Sequence, residues 1–218
     1  MKGQKKRKRY FNQNLIDKVI KMKRNLGFLI GLAVLSGILV LSLTAPLASA
    51  RQPLDEGQAE SKNLTGVLLG ALLAVGIAGV SSAFGLARSG SAAAAVTGEK
   101  PELGMKLMIL EVLPMTQVLY GLVAAILLMM GCGLLGGEPG VDLTNPIIGN
   151  AGLIAGLIVG ITGISALAQG TTAAASIAAV GREPRAFAPS MIYIVMVETV
   201  ALFGLVTAIF VMFGLGFL

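Results

Sequence analysis

The side chains in this sequence that could do chemistry lie where charge and polarity are expensive. Residues 191–210 read MIYIVMVETVALFGLVTAIF, and Glu198 is the one charged residue among them, with seven uncharged residues before it and twelve after. At about 1.5 Å per residue, such a run crosses a bilayer as one helix. An ionised carboxylate at its centre costs on the order of 3 kcal/mol or more. A proton, a cation or a basic partner must therefore neutralise it. Further polar groups stand toward the middle of other apolar runs. In LEVLPMTQVLYG, Thr116 and Gln117 follow Pro114, whose ring nitrogen cannot donate to the Leu110 carbonyl and so loosens the local backbone. Gln169 sits in SALAQGTT. A hydroxyl, two amide oxygens, loosened carbonyls and one carboxylate make an all-oxygen set with a single negative charge, which suits a hard cation. Taken singly, Thr and Gln in apolar helices also serve as cross-links between helices.

Composition narrows the class of protein that surrounds these residues. Of 218 residues, 55% are hydrophobic and 13% charged, and the mean hydropathy is +0.84; this is an integral membrane protein. The absence of His and Trp removes imidazole acid–base chemistry and His-ligated metals. Cys132 is the single cysteine, so no internal disulfide forms, and within LLMMGCGLL it reads as a small packing residue. The net charge of +6 is a property of the leader: the first fifty residues carry +9 and the rest −3. A nucleic-acid partner is therefore rejected.

The fold class expected is an all-α membrane protein of four transmembrane helices, arranged as two tandem hairpins behind a signal peptide. Residues 1–25 form a basic n-region, 26–43 an apolar h-region, and TAPLASA ends with small residues spaced for cleavage after Ala50. An uncleaved anchor is the other reading of that leader. Apolar segments follow at about 64–87, 103–135, 146–180 and 187–218, separated by TGEKPE, GGEPGVDLTNP and GREPR. The domains expected are a first hairpin over 51–135, an external connector over 136–145 and a second hairpin over 146–218. Arg88, Lys100 and Lys106 flank the first hairpin loop and Arg182 and Arg185 the second, whereas the connector has only Glu138 and Asp142. Positive charge on the inside places both hairpin loops in the cytoplasm and the mature termini outside the cell membrane.

The hairpins are duplicated. VLYGLVAAIL (118–127) matches ALFGLVTAIF (201–210), and at the same spacing of 83 residues TGEKPE falls against VGREPR. Glu198 then lies opposite Met115, leaving one central carboxylate per chain. Gly66, Gly70, Gly76 and Gly79 of the first helix, and Gly152, Gly156 and Gly160 of the third, are small residues at close-packing spacing. Helices two and four carry the bulkier side chains. That asymmetry suits a ring with slim helices inside and bulky ones toward lipid, although a monomeric bundle would also use such glycines.

LPMTQ and LYG on the second helix, AQG on the third and MVET on the fourth together resemble the proteolipid rotor-ring subunit, K or c, of vacuolar/archaeal-type (V/A-type) rotary ATPases, in its sodium-binding branch. The resemblance covers essentially all of 61–218. It implies Na⁺ held by the Leu113 carbonyl and by Thr116, Gln117, Gln169 and Glu198, with Tyr120 hydrogen-bonded to the carboxylate. It also implies a homo-oligomeric ring in lipid, a stator membrane subunit with an arginine, and central-stalk subunits at the cytoplasmic loops near 98–102 and 181–185. No cofactor is expected beyond the transported Na⁺ or, alternatively, H⁺. The chain is not catalytic alone; with no phosphate-cradling loop, ATP synthesis or hydrolysis must occur in a soluble sector. A stand-alone two-repeat transporter or channel is the reading of another class. Glu111 departs from the resemblance. It is read as leaning back toward Lys106 near the interface, or else as a further polar stop on an ion's path.

Overall fold

A computed structural model of the chain describes residues 56–218; the leader and its cleavage point lie outside them. The described residues form helix α1 (Glu56–Glu99), a 3₁₀ turn (Pro101–Leu103), α2 (Gly104–Val112), a second 3₁₀ turn (Leu113–Met115) and α3 (Thr116–Gly131). After a non-helical connector come α4 (Ile147–Thr162), α5 (Ser165–Arg182), a 3₁₀ turn (Pro184–Ala186) and α6 (Phe187–Gly214). Taken together they make four spans, α1, α2–α3, α4–α5 and α6, each long and apolar enough to cross a membrane.

Local chemistry accounts for where the spans run and where they break. Helix α1 continues past residue 87 because SGSAAAAVTGE is rich in alanine, the residue least costly in a helix, and the next proline is Pro101. Pro101 and Pro184 each start a 3₁₀ turn, where a missing N–H matters little. Pro114 interrupts the second span as expected. An interruption in the third span, at Gly163 and Ile164, was not foreseen from the sequence. There the bonds tighten to three residues, Ile164 N–H to the Ile161 carbonyl at 3.1 Å and Leu167 N–H to the Ile164 carbonyl at 3.0 Å. The preceding Thr162 turns its hydroxyl back onto the Ile158 carbonyl at 2.8 Å, a bond that bends helices.

The third span, α4–α5, packs against all of the others, and α1 lies along it and against α3. Helix α1 runs parallel to the third span with glycine meeting glycine: Gly66 against Gly149, Gly70 against Gly152 and Gly156, Gly85 against Gly170. A Cβ on Gly156 would drive into the Gly70 backbone, so this approach exists only because side chains are missing. Gly76 faces open space and Gly79 meets Val118, so those two glycines stand outside the seam. The first and third spans are 44% and 56% buried over their most apolar windows, against 33% and 28% for the second and fourth. The outer faces of the second and fourth present Met105, Leu122, Ile192, Phe203 and Phe210, an apolar surface fit for lipid or another copy of the chain.

Clasps close both ends. Asn63 on α1 donates to the carbonyls of Leu143 at 2.7 Å and Asn145 at 2.9 Å and accepts from Gly149 N–H at 3.1 Å, which ties the connector to α1. At the opposite end Lys100 Nζ donates to the Gly181 carbonyl at 2.6 Å, joining the two hairpin loops. The apolar interior falls into two clusters. One, around Val67, Leu128, Ile148 and Met212, lies toward the connector; the other, around Leu107, Leu110, Ile177 and Ile194, lies toward the hairpin loops. Between them is a layer that holds Ser81, Ser82, Gln117, Gln169 and Glu198, all buried.

Candidate functional site

The polar layer is assembled from one irregular stretch and two regular helices. In the Leu113–Met115 turn the chain tightens, and the Leu113 carbonyl accepts the Thr116 hydroxyl at 2.9 Å as well as the Thr116 N–H. The Thr116 hydroxyl also lies 3.3 Å from Gln117 Oε1. Gln117 then reaches across to the third span, where its Nε2 donates to Gln169 Oε1 at 2.5 Å. Gln169 Nε2 continues to the Ile194 carbonyl of α6 at 3.3 Å. Both glutamines are fully shielded from solvent, so each amide group depends on these partners.

Glu198 sits one helical turn beyond Ile194 and is 9% exposed. Tyr120, one turn beyond Thr116, donates its hydroxyl to Glu198 Oε1 at 2.5 Å. The bonds therefore bring Leu113, Thr116, Gln117 and Gln169 into one connected chain, with Tyr120 and Glu198 as an adjoining pair. Amide nitrogens in that chain point at neighbouring acceptors. Their oxygens keep lone pairs available, because a carbonyl oxygen can accept twice. Among the described residues there is no group of three His, Cys, Asp or Glu. A cation in this layer would accordingly meet one carboxylate and several neutral oxygens, a donor set for a hard monovalent ion rather than a transition metal.

Glu111 stands apart from this constellation. Its carboxylate reaches to α1, with Oε1 3.3 Å from where a Cβ of Gly90 would lie. Its backbone carbonyl accepts from the Ser89 hydroxyl at 2.9 Å. Three further polar residues were not singled out from sequence. Asn63 was hidden in a polar stretch, while Ser82 and Ser165 look like ordinary small residues in Ala- and Gly-rich runs. Only the unmet hydroxyls of these two serines set them apart.

Known proteins share this sequence pattern. The family model for the C subunit of ATP synthase matches the chain twice, at 69–128 and 153–211, one match in each duplicated half. The A-type ATP synthase subunit K of Methanocaldococcus jannaschii is 41% identical over 140 residues, 64% of this chain and 60% of that protein. The V-type sodium ATPase subunit K of Enterococcus hirae is 37% identical, covering 59% of this chain and 78% of its own length. The V-type proton ATPase 16 kDa proteolipid of Nephrops norvegicus is 32% identical, covering 72% of this chain and 94% of that protein.

Proposed function

The chain belongs to the family of the ATP synthase C subunit, and from that premise we propose that it is the membrane rotor proteolipid of a V/A-type ATPase or ATP synthase, carrying Na⁺ at Glu198. The observation that carries this reading is the buried Glu198 carboxylate, held by Tyr120 and adjoining the Gln117–Gln169 pair contributed by two other spans. A relative named for sodium and a relative named for protons both resemble this chain, so the choice of ion rests on the donors. A proton needs only the carboxylate and a partner for it. The Leu113 carbonyl, Thr116 hydroxyl and two glutamine oxygens have a further use if Glu198 and these groups together strip water from Na⁺.

In this mechanism Na⁺ cancels the charge on Glu198, and the loaded site crosses the lipid phase at low cost. Copies of the chain form a ring, in which the glycine-lined first and third spans face inward. Opposite an arginine of a stator subunit the ion leaves and the carboxylate pairs briefly with the guanidinium. The hairpin loops near 98–102 and 181–185 lie in the cytoplasm and dock the central stalk. The connector and both mature ends lie outside, with residues 1–50 removed as a signal peptide. Glu198→Gln in the complete complex, reconstituted into vesicles, is expected to abolish ATP-driven Na⁺ uptake while the ring still assembles. Undiminished uptake by that variant contradicts the proposal. The Tyr120–Glu198 bond equally suits a protonated carboxyl, which supports the same rotor working with H⁺ as the second reading. That reading predicts full ATP-driven acidification of vesicles in buffer free of Na⁺.

A further inference from the structure

The hydroxyl of Ser165, at the start of α5, is buried and has no hydrogen-bond partner among the described residues. An unmet buried hydroxyl is costly, and its position on the third span says what it could serve. Two contacts fix how α4–α5 lies against the antiparallel α6. Gln169 Nε2 donates to the Ile194 carbonyl, and a Cβ on Gly204 would collide with the Thr162 hydroxyl. Ser165 is three residues from Thr162 and four from Gln169, so it lies between them on the same helical stripe. On α6 the facing stripe is Ile194, Glu198, Ala201 and Gly204, all buried. Stepping inward from both contacts brings Ser165 level with Glu198 and Ala201. Among the described residues the carboxylate receives one side-chain donor, Tyr120 on Oε1, and Oε2 receives none.

We propose that Ser165 is a positioning residue of the ion site, its hydroxyl donating to Glu198 Oε2 when the carboxylate is drawn inward around its ion. Tyr120 and Ser165 then hold one oxygen each, from the second and third spans. The proposal rests on the reading of Glu198 as the ion carrier. Tyr120 is the ionisable side chain that touches Glu198, the third span carries none before Arg182, and on α6 the other is the exposed Tyr193.

The test compares wild type, Ser165→Ala and Ser165→Thr in the assembled complex, following carbodiimide labelling of Glu198 by mass spectrometry at one fixed pH. Ser165→Ala is expected to label several-fold faster in Na⁺-free buffer and to need about tenfold more Na⁺ for half-protection, the weight of one hydrogen bond to a charged group. Ser165→Thr, which keeps the hydroxyl, should stay close to wild type. If Ser165→Ala labels at the wild-type rate and is protected at the wild-type Na⁺ concentration, the proposal is overturned and the ion-carrier reading stands. The hydroxyl is then an idle packing group, whose removal leaves thermal stability unchanged or raised. If wild-type Glu198 does not label at all, the carrier reading fails and this proposal fails with it. The Na⁺-free rate keeps the proposal testable even if the ion carried is H⁺.

Discussion

Single side chains in the polar layer differ in what their removal leaves behind. Tyr120→Phe deletes the donor to Glu198 Oε1 and little packing. Hydrogen bonds to charged groups are worth roughly 1.5–3 kcal/mol. Half-protection of Glu198 from carbodiimide should therefore require at least about tenfold more Na⁺ in this variant, with thermal stability nearly unchanged. Gln169→Leu is a different lesion. It strands Gln117 Nε2 in a site closed to water, so the variant should unfold more easily by about 1–3 kcal/mol in detergent. If its melting matches wild type, Gln117 has found another partner. Glu198, Thr116, Gln117 and Gln169 stood out in the sequence because polarity in an apolar run demands a reason. Ser165 did not, because in an Ala- and Gly-rich helix a serine is indistinguishable from a small packing residue until its hydroxyl is seen without a partner.

The seam between α1 and α4–α5 depends on backbones touching at Gly70 and Gly156. Gly156→Val would push both spans apart, at a cost of at least about 1–3 kcal/mol by the usual penalty for overpacking. Reduced yield of assembled protein in mild detergent would record it, whereas Gly76→Val, facing open space, should be tolerated. The connector makes a pH-dependent contribution. Asp142 accepts from the Thr144 N–H at 2.9 Å and hydroxyl at 2.7 Å, bonds that hold its carboxyl below the usual carboxylate range. A depressed folded-state value means the turn's contribution is complete above the unfolded carboxyl's range and is lost as pH falls through the lower folded value. Protection of the amides in residues 141–147, measured by hydrogen exchange relative to the intrinsic rate at each pH, should accordingly fall in acid, and Asp142→Asn should remove that dependence. The four spans and the Pro114 break were legible because apolar length and a missing N–H act locally. The Gly163 break was not, because a glycine-rich helix gives no sign of where tertiary contact with Ala78 will tighten it. The extension of α1 to Glu99 was missed for the opposite reason: apolar content falls at residue 87 while helix propensity does not.

At the scale of the molecule, one chain supplies one carboxylate and an apolar outer face on its second and fourth spans. A rotor accumulates sites only by repeating such chains around an axis. Native mass measurement of the purified protein should therefore return a closed oligomer of many copies; a monomer or dimer would leave the stand-alone transporter reading in its place. The duplicated halves were visible in the sequence as a spacing of 83 residues, and the family model falls on both. What repetition alone could not supply is the division of labour between the halves: Met115 stands where the second half has Glu198, and the first half contributes Leu113, Thr116, Gln117 and Tyr120 to the layer around it. Binding of Na⁺ to this layer at Glu198 can be read by carbodiimide labelling of the wild-type complex at neutral pH across a Na⁺ titration. Glu198 should be the residue labelled, and Na⁺ in the millimolar range or below should protect it, while K⁺ at the same concentration does not. Labelling of Glu198 that is indifferent to Na⁺ would contradict Na⁺ binding there.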